Sequence, residues 1–493
     1  MRFLINMNIT LLNLNMLYIK YLDGKIFRQR HLPLGPLYLI SALEDSGITV
    51  DFRDYQLAER DDLFVPEALV DYLEGCASIV GISCMANLLP FVMYAMPLLR
   101  ERFPDRKFIL GGVGAMEIER EVLERCPSID IIHRGEGETS VPLLIRALID
   151  DSPLDSVPGI FYRKNGDICQ NPPVKRCTDP DTLLRPAYTG IDFKRYEGHN
   201  ILGSRGCPYP CTFCSIAPVW GHTPYSRSST NIVDEMKYLH TEYAVRQFLF
   251  QDEYFISSPE RALEFADLVR KTGLNIEYKA FARVDLVNED AIKALADSGC
   301  VEIRFGVESG SDRILKLVRK GFTSDTALRT VSLAKKYIRG VDAFYIWGFP
   351  FETIEDFSES LFQMITLRGM GVRILPSLIT HLPQTQMYRE LEDKSRLEFC
   401  SWLLPEYMIA GIESRESVRV AIDGRYEGFF DFIMHNRDIF PGFFQLDVET
   451  NIRPKLNMLE DFDFYRREVR DSCGAHSPSC TGASPESVRV ENT

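Results

Sequence analysis

Three cysteines, Cys207, Cys211 and Cys214, fall within the short stretch Gly203-Ser204-Arg205-Gly206-Cys207-Pro208-Tyr209-Pro210-Cys211-Thr212-Phe213-Cys214. Closely spaced thiolates ligate iron–sulfur clusters, and this C-x3-C-x2-C group supplies three ligands to a cluster that has four irons. One iron is left open to another molecule. The glycines and prolines of the segment predict a loop wrapped around an inorganic body, not a helix. The competing reading is a structural zinc with His222 as fourth ligand, but such sites usually pair their cysteines as C-x2-C in two knuckles, and no second knuckle stands in the chain. A disulfide would require an oxidising compartment.

The elements that must position this loop follow from hydrophobic patterning. In the first part, about 1–155, β-rich apolar runs at 9–15, 48–55, 78–85, 107–113 and 129–134 alternate with helical patterns at 34–46, 66–74, 90–103, 117–125 and 139–148. Five βα units predict an α/β fold with an open, parallel, doubly wound sheet, whose ligand lies beyond the carboxyl ends of the strands. Those ends carry Ser83-Cys84-Met85, Gly111-Gly112-Val113-Gly114 and Arg134-Gly135-Glu136-Gly137-Glu138. Small residues there let a flat cofactor approach the backbone, although tight turns would select the same glycines. The pattern is not G-x-G-x-x-G, which argues against a dinucleotide.

A linker at 156–190 carries a small hairpin turning at Asn165-Gly166. From about 191 to 390 the alternation resumes with strands at 199–204, 247–251, 276–283, 301–307, 341–347 and 373–380. Ser258-Pro259 reads as the N-cap and first residue of a helix ending before Gly273. Six such units predict a partial β/α barrel with its active site at the carboxyl strand ends. The first strand delivers the cysteines, and later ones end at Glu253, Arg283, Glu308 and Gly348.

The cysteine loop with Phe213 before its last thiol, followed in order by F-G-V-E-S-G-S and G-F-P-F-E-T, resembles the core of the radical S-adenosylmethionine (radical SAM) enzymes. The first part is similar to the cobalamin-binding domain that precedes many of them, through Leu32-Pro33-Leu34-Gly35, Gly81-Ile82-Ser83, Gly111-Gly112 and Gly135-Glu136-Gly137-Glu138. The resemblance implies a [4Fe-4S] cluster on Cys207, Cys211 and Cys214, with SAM chelating the fourth iron and yielding a 5′-deoxyadenosyl radical on reduction. It implies SAM contacts at Phe213, Glu253, Arg283, Glu308 and Gly348, and cobalamin contacts at Ser83, Gly111, Gly112 and Glu136. A carboxylate suits a ribose diol and a forked guanidinium suits the SAM carboxylate. The plainer alternatives are a barrel-mouth salt bridge for Arg283 and Glu308, a surface carboxylate for Glu253, and a loop brace for Phe213. The D-x-H-x-x-G motif that ligates cobalt from below in other cobalamin proteins is absent; His31, the histidine of the first loop, lacks its partners. The resembling branch often binds cobalamin without it, and a domain that kept the fold and lost the cofactor is the other reading.

These expectations imply a cobalamin-dependent radical SAM methyltransferase acting on an unactivated carbon of a small molecule, lipid or natural product, fed by an electron donor such as flavodoxin or ferredoxin. A cyclase or ring-rearranging enzyme with the same cofactors and a non-catalytic cluster carrier are the alternatives. The chain of 493 residues has a net charge of −14, which argues against nonspecific nucleic-acid binding. It shows no uninterrupted apolar span of about 18 residues and no signal peptide, so a cytoplasmic protein with no transmembrane segment is expected. Nine further cysteines are scattered and suit buried small apolar positions in a reducing compartment. The aromatic-rich stretch 391–470 predicts a helical cap, and the Ser/Pro/Gly-rich 471–493 predicts a disordered tail.

Overall fold

The computed structural model describes residues 7–14, 30–60, 63–252, 254–400, 403 and 427–465. The apolar runs of the first part form β1 (Ile9–Asn13), β2 (Val50–Asp54), β3 (Ile79–Ser83), β4 (Lys107–Gly111) and β5 (Ile131–His133). All five are parallel, in the order β2-β1-β3-β4-β5. Strands covered on both faces must be apolar along their length, and β3 is buried at Ile79, Val80, Gly81 and Ile82 in succession. The order reverses between β1 and β3, which opens a crevice at their carboxyl ends. Hairpin strands β6 (Ile160–Lys164) and β7 (Asp167–Gln170) extend this sheet, β6 antiparallel to β5 and β7 antiparallel to β6. Asn165 and Gly166, at φ of 54° and 93°, form their turn.

The second sheet begins with β8 (Asn200–Ile201), after which β9 (Ser204–Arg205) and β10 (Tyr225–Ser226) pair with each other as the neck of the cysteine loop. It continues with β11 (Gln247–Phe250), β12 (Glu277–Ala282), β13 (Cys300–Glu308), β14 (Gly340–Trp347) and β15 (Arg373–Leu378). These six strands run parallel in the order β8-β11-β12-β13-β14-β15, an open half-barrel. Period-two alternation separates their faces. Tyr278, Ala280, Ile303, Phe305, Ala343 and Tyr345 are buried in a core shared with the surrounding helices, whereas Lys279, Phe281, Phe344 and Ser377, of the opposite parity, stay half-buried. Ser258 caps helix Pro259–Thr272 by accepting from the Arg261 N–H, and left-handed Gly273 ends it.

The C-terminal segment mixes helices with a strand pair, where patterning had predicted helices alone. Strand β16 (Leu397–Phe399) pairs antiparallel with β17 (Phe444–Leu446), flanked by helices Glu427–His435 and Arg453–Asp461. Its apolar residues divide between two cores. Phe429, Phe430, Phe443 and Phe444 join that of the first sheet, and Val448, Ile452, Leu456 and Leu459 join that of the half-barrel. Of the scattered cysteines, Cys76, Cys84, Cys126, Cys300 and Cys400 are buried while Cys169 and Cys177 are half-buried. Cys473, Cys480 and the tail lie outside the described residues, as does Glu253.

Candidate functional site

The cysteine loop leaves the end of the first half-barrel strand through its β9–β10 neck. Gly206 starts it at φ 100°, where an added Cβ would approach the Thr223 carbonyl oxygen to 3.0 Å. Asp252, at the end of β11, fixes the approach by accepting from the Gly203 N–H at 3.0 Å and the Ser204 hydroxyl at 2.7 Å. Burial pushes the Asp252 carboxyl up to about 6, against the pull of those two donors. The middle of the loop is pinned from both sides. The Thr212 N–H donates to the Val318 carbonyl at 3.2 Å, and the Thr212 carbonyl accepts from the Met387 N–H at 2.9 Å. Phe213 packs on Phe349, ring centroids 6.0 Å apart, beside Ile314, Val318, Ile379 and Met387. The bracing contact is therefore in place.

Cys207, Cys211 and Cys214 are half-buried. Burial raises the Cys211 thiol, and the Lys320 and Arg283 cations oppose that rise and favour the thiolate. Among the described residues no three His, Cys, Asp or Glu side chains converge on a single metal ion. A four-iron cluster takes its three thiolates on three separate irons, which is the donor number that this loop supplies, whereas a tetrahedral structural zinc takes four ligands.

Glu308 and Arg283 meet at the mouth of the half-barrel through a residue that patterning had missed. Lys320 donates to Glu308 Oε1 at 2.7 Å, with both side chains about nine-tenths buried. The Lys320 ammonium also stands 5.8 Å from the Phe213 ring centre, and its backbone carbonyl accepts from Arg283 Nη2 at 2.7 Å. Glu308 occupies a bulge in the β13–β14 register at φ 69°, a left-handed conformation that is unfavourable for a glutamate. That backbone turns the carboxylate back over Gly306, where a Cβ would come within 2.6 Å of Glu308 Oε1. The Arg283 fork is occupied by Asp285, at 3.0 and 2.9 Å, and its guanidinium lies 3.4 Å from the Tyr209 ring centre. The salt-bridge reading of both residues is thus realised. The signal for Lys320 was the Arg319-Lys320-Gly321 turn after a short helix, whose partner across the bulge is not encoded in local spacing.

Gly348 stands apart from this group. Its N–H donates to Glu352 at 2.8 Å, and an added Cβ would meet Ile452 at 2.8 Å and Leu378 at 3.1 Å. Glu352 forms a fully buried pair with Lys455 at 3.0 Å, which ties the last helix to this turn.

At the first sheet, Ser83 and Gly111 are register partners at the ends of β3 and β4. Gly112, at φ 83°, abuts the Cys84 carbonyl, and Gly114 lies where a Cβ would reach the Met85 oxygen at 2.9 Å. These two glycines serve the close packing of their own loops. Gly111 is different, because a Cβ there would meet only the Ile82 oxygen at 3.9 Å. Among the described residues the buried Asn87 Oδ1, in the loop after β3, has no hydrogen-bond partner. A smooth glycine face and an orphan acceptor at the carboxyl strand ends fit a flat amide-bearing cofactor. His31 packs its ring against Gly198. Glu136 departs most from its sequence-based placement. Its Oε2 accepts from the Cys177 N–H at 2.7 Å and faces Arg205 at 3.5 Å, so it belongs to the junction with the half-barrel.

Comparison with known proteins agrees with this division. Residues 201–364 match the Radical SAM superfamily and residues 26–145 match the B12 binding domain. An uncharacterized methyltransferase of Pyrococcus horikoshii is 29% identical over 337 residues, covering 66% of this chain and 71% of that protein. The anaerobic magnesium-protoporphyrin IX monomethyl ester cyclase of a Synechocystis species is 26% identical over 354 residues, 70% of each chain. The solved structure of the radical SAM methyltransferase TsrM from Kitasatospora setae, with cobalamin and a [4Fe-4S] cluster bound, superposes with a TM-score of 0.62 at 19% identity, over 77% of this chain and 73% of that one. That last likeness is one of fold. No helix among the described residues is long and apolar enough to cross a membrane.

Proposed function

The chain belongs to the radical SAM enzymes that carry a B12 binding domain, and on that premise we propose that it methylates an unactivated carbon of a small-molecule, lipid or natural-product substrate. The observation that carries this reading is an ion-paired junction between the two parts: the neck of the cysteine loop is ion-paired, through Arg205, to the helix start that follows β5 of the first sheet. When bound, the cluster with SAM supplies a 5′-deoxyadenosyl radical and the corrin supplies a methyl carrier.

The chain's own residues then have distinct tasks. Cys207, Cys211 and Cys214 hold the cluster. Glu308, oriented by Lys320, accepts the hydroxyl hydrogens of a ribose, with Glu253 as a second candidate for that contact. Arg283 and Lys320 place positive charge beside the Cys211 thiolate, while Phe213 braces the loop and offers a ring edge to adenine. Ser83, Gly111 and Asn87 form the seat for the corrin, with Gly112 shaping the loop behind it. Gly348 contributes the bend that lets β14 pass under Ile452. The electron enters from a small reductase partner such as flavodoxin or ferredoxin. No side chain has to act as acid or base on the substrate.

Anaerobic reconstitution with iron, sulfide and hydroxocobalamin, followed by absorption spectroscopy and assay of SAM cleavage, tests the reading. A protein that takes up iron and corrin and forms 5′-deoxyadenosine supports it; iron without corrin overturns methyl transfer. SAM with a labelled methyl group, offered with small-molecule extract, separates methylation from the cyclisation carried out by the Synechocystis relative. Label recovered in product marks the first, and a cyclised unlabelled product the second.

A further inference from the structure

The neck of the cysteine loop is fastened to the other domain by a buried charge cluster that no cofactor contact requires. Arg205 lies two residues before Cys207 and is 6% exposed. Its Nη2 donates to Glu138 and its Nη1 faces Glu136 at 3.5 Å. Both carboxylates open the helix Gly137–Ile149, which follows the last parallel strand of the first sheet. The same guanidinium is covered by Tyr38 of the first domain at 5.5 Å and by Trp220, the end of the helix that leaves the cysteine loop, at 5.3 Å. Arg176 completes the fastening. It donates to the carbonyls of Arg205 at 3.0 Å and Thr223 at 2.7 Å, one on each strand flank of the loop, and its Nε lies 3.7 Å from Glu136.

We propose that Arg205 is a positioning residue that sets the distance and orientation of the cluster loop relative to the B12 binding domain, with Glu138 and Glu136 as its anchors. Three features favour positioning over general adhesion. The guanidinium is planar and receives partners both in its plane and on its faces, which fixes orientation as well as distance. Standing at the entry of the loop, it is covered by Trp220 at the exit, and Arg176 bonds both flanks. Buried away from water, the pairs are little screened, and loss of one partner leaves a charge without compensation. Radical transfer between two separately held groups tolerates little displacement, so the loop must be registered against the other domain and not merely attached to it. This inference rests on the cluster being held by the cysteine triplet.

Pulsed electron paramagnetic resonance reads it directly, between the reduced cluster and a nitroxide carried by an unnatural amino acid at the exposed position Glu121 of the first domain. The full chain, reconstituted with iron and sulfide, is expected to give one narrow distance. Arg205→Gln and Glu138→Gln should each broaden or shift it, and the exchange Arg205→Glu with Glu138→Arg should narrow it again. Glu138 is remote in sequence from the thiols, so Glu138→Gln remains decisive even where Arg205→Gln fails to hold iron. A Glu138→Gln protein with an unchanged narrow distance overturns the proposal. A wild-type chain without iron would instead overturn the cofactor assignment. In that case two nitroxides, at Glu121 and at the exposed Lys336 of the half-barrel, give the same comparison, and an unchanged distance in Glu138→Gln again overturns the proposal.

Discussion

The two sheets of this chain are tied near their carboxyl strand ends by the ion pairs of Arg205 with Glu136 and Glu138, and those ends are equipped in opposite ways. At the half-barrel, side chains carry the site: Asp252, Arg283 and Glu308 are buried and partnered by Ser204, Asp285 and Lys320. At the first sheet small residues stand at the strand ends, Ser83 and Gly111 as register partners, and among the described residues the buried Asn87 Oδ1 of the following loop has no hydrogen-bond partner. A small, charged, reactive ligand needs fixed charges about it, which low-dielectric burial strengthens. A large flat ligand needs surface without obstruction. The same parallel architecture therefore serves both, and the residue types at the strand ends tell them apart.

That contrast can be broken on the half-barrel side first. Cys207→Ala should reduce iron content and 5′-deoxyadenosine formation to background while the B12 binding domain keeps its corrin uptake, measured on one preparation by iron analysis and corrin absorption. Glu308→Gln should come next. It leaves the Lys320 ammonium buried beside a neutral amide, and breaking a buried pair costs about 3–5 kcal/mol. Denaturant titration should show a loss of that order, with partial recovery in the double variant Glu308→Gln/Lys320→Met.

On the first sheet the comparison is sharpened by neighbours. Gly112→Ala forces a Cβ onto the Cys84 carbonyl at positive φ and should destabilise by about 1–3 kcal/mol. Gly111→Ala meets only one atom at 3.9 Å and should leave the melting temperature nearly unchanged while weakening corrin uptake in absorption titrations. The smallest effect concerns pH. The Asp252 carboxyl, raised to about 6 by burial, binds its proton more tightly in the folded chain than in the unfolded one. Its contribution to stability is complete below about pH 4 and declines as pH rises through about 6. Asp252→Asn should remove that component, seen as a flatter dependence of unfolding free energy between pH 4 and pH 6.

The fold was legible because its signals are local. Apolar runs bounded by glycine and proline placed the strands to within a few residues, and Ser258-Pro259 marked a helix start that the Arg261 N–H bond makes concrete. The thiol triplet was legible for the same reason. What escaped was long-range. Lys320 reaches Glu308 across a backbone bulge, and nothing in their spacing announces that a left-handed glutamate will turn toward it. Glu136 read as part of a glycine-rich cofactor edge because Gly135 and Gly137 flank it, yet its carboxylate turns to Arg205 and the Cys177 N–H. Gly112 read as a cofactor glycine, whereas its immediate obstacle is the chain's own Cys84. The C-terminal aromatics were visible as a group, but their division between two cores depends on contacts far away in sequence, as between Phe64 and Phe429, whose ring centres lie 5.7 Å apart.

That last contact has a temporal meaning. During synthesis the first sheet leaves the ribosome long before Phe429, Phe430, Phe443 and Phe444, which complete its apolar core. Until those residues arrive, an apolar surface between Phe64, Phe91 and Tyr94 stands uncovered, and exposed apolar surface invites association. The cofactor domain is therefore first in the chain and last to be sealed. A nascent protein truncated before residue 427 would carry the whole cysteine triplet and the whole first sheet, and yet lack the aromatic residues that close the core of that sheet.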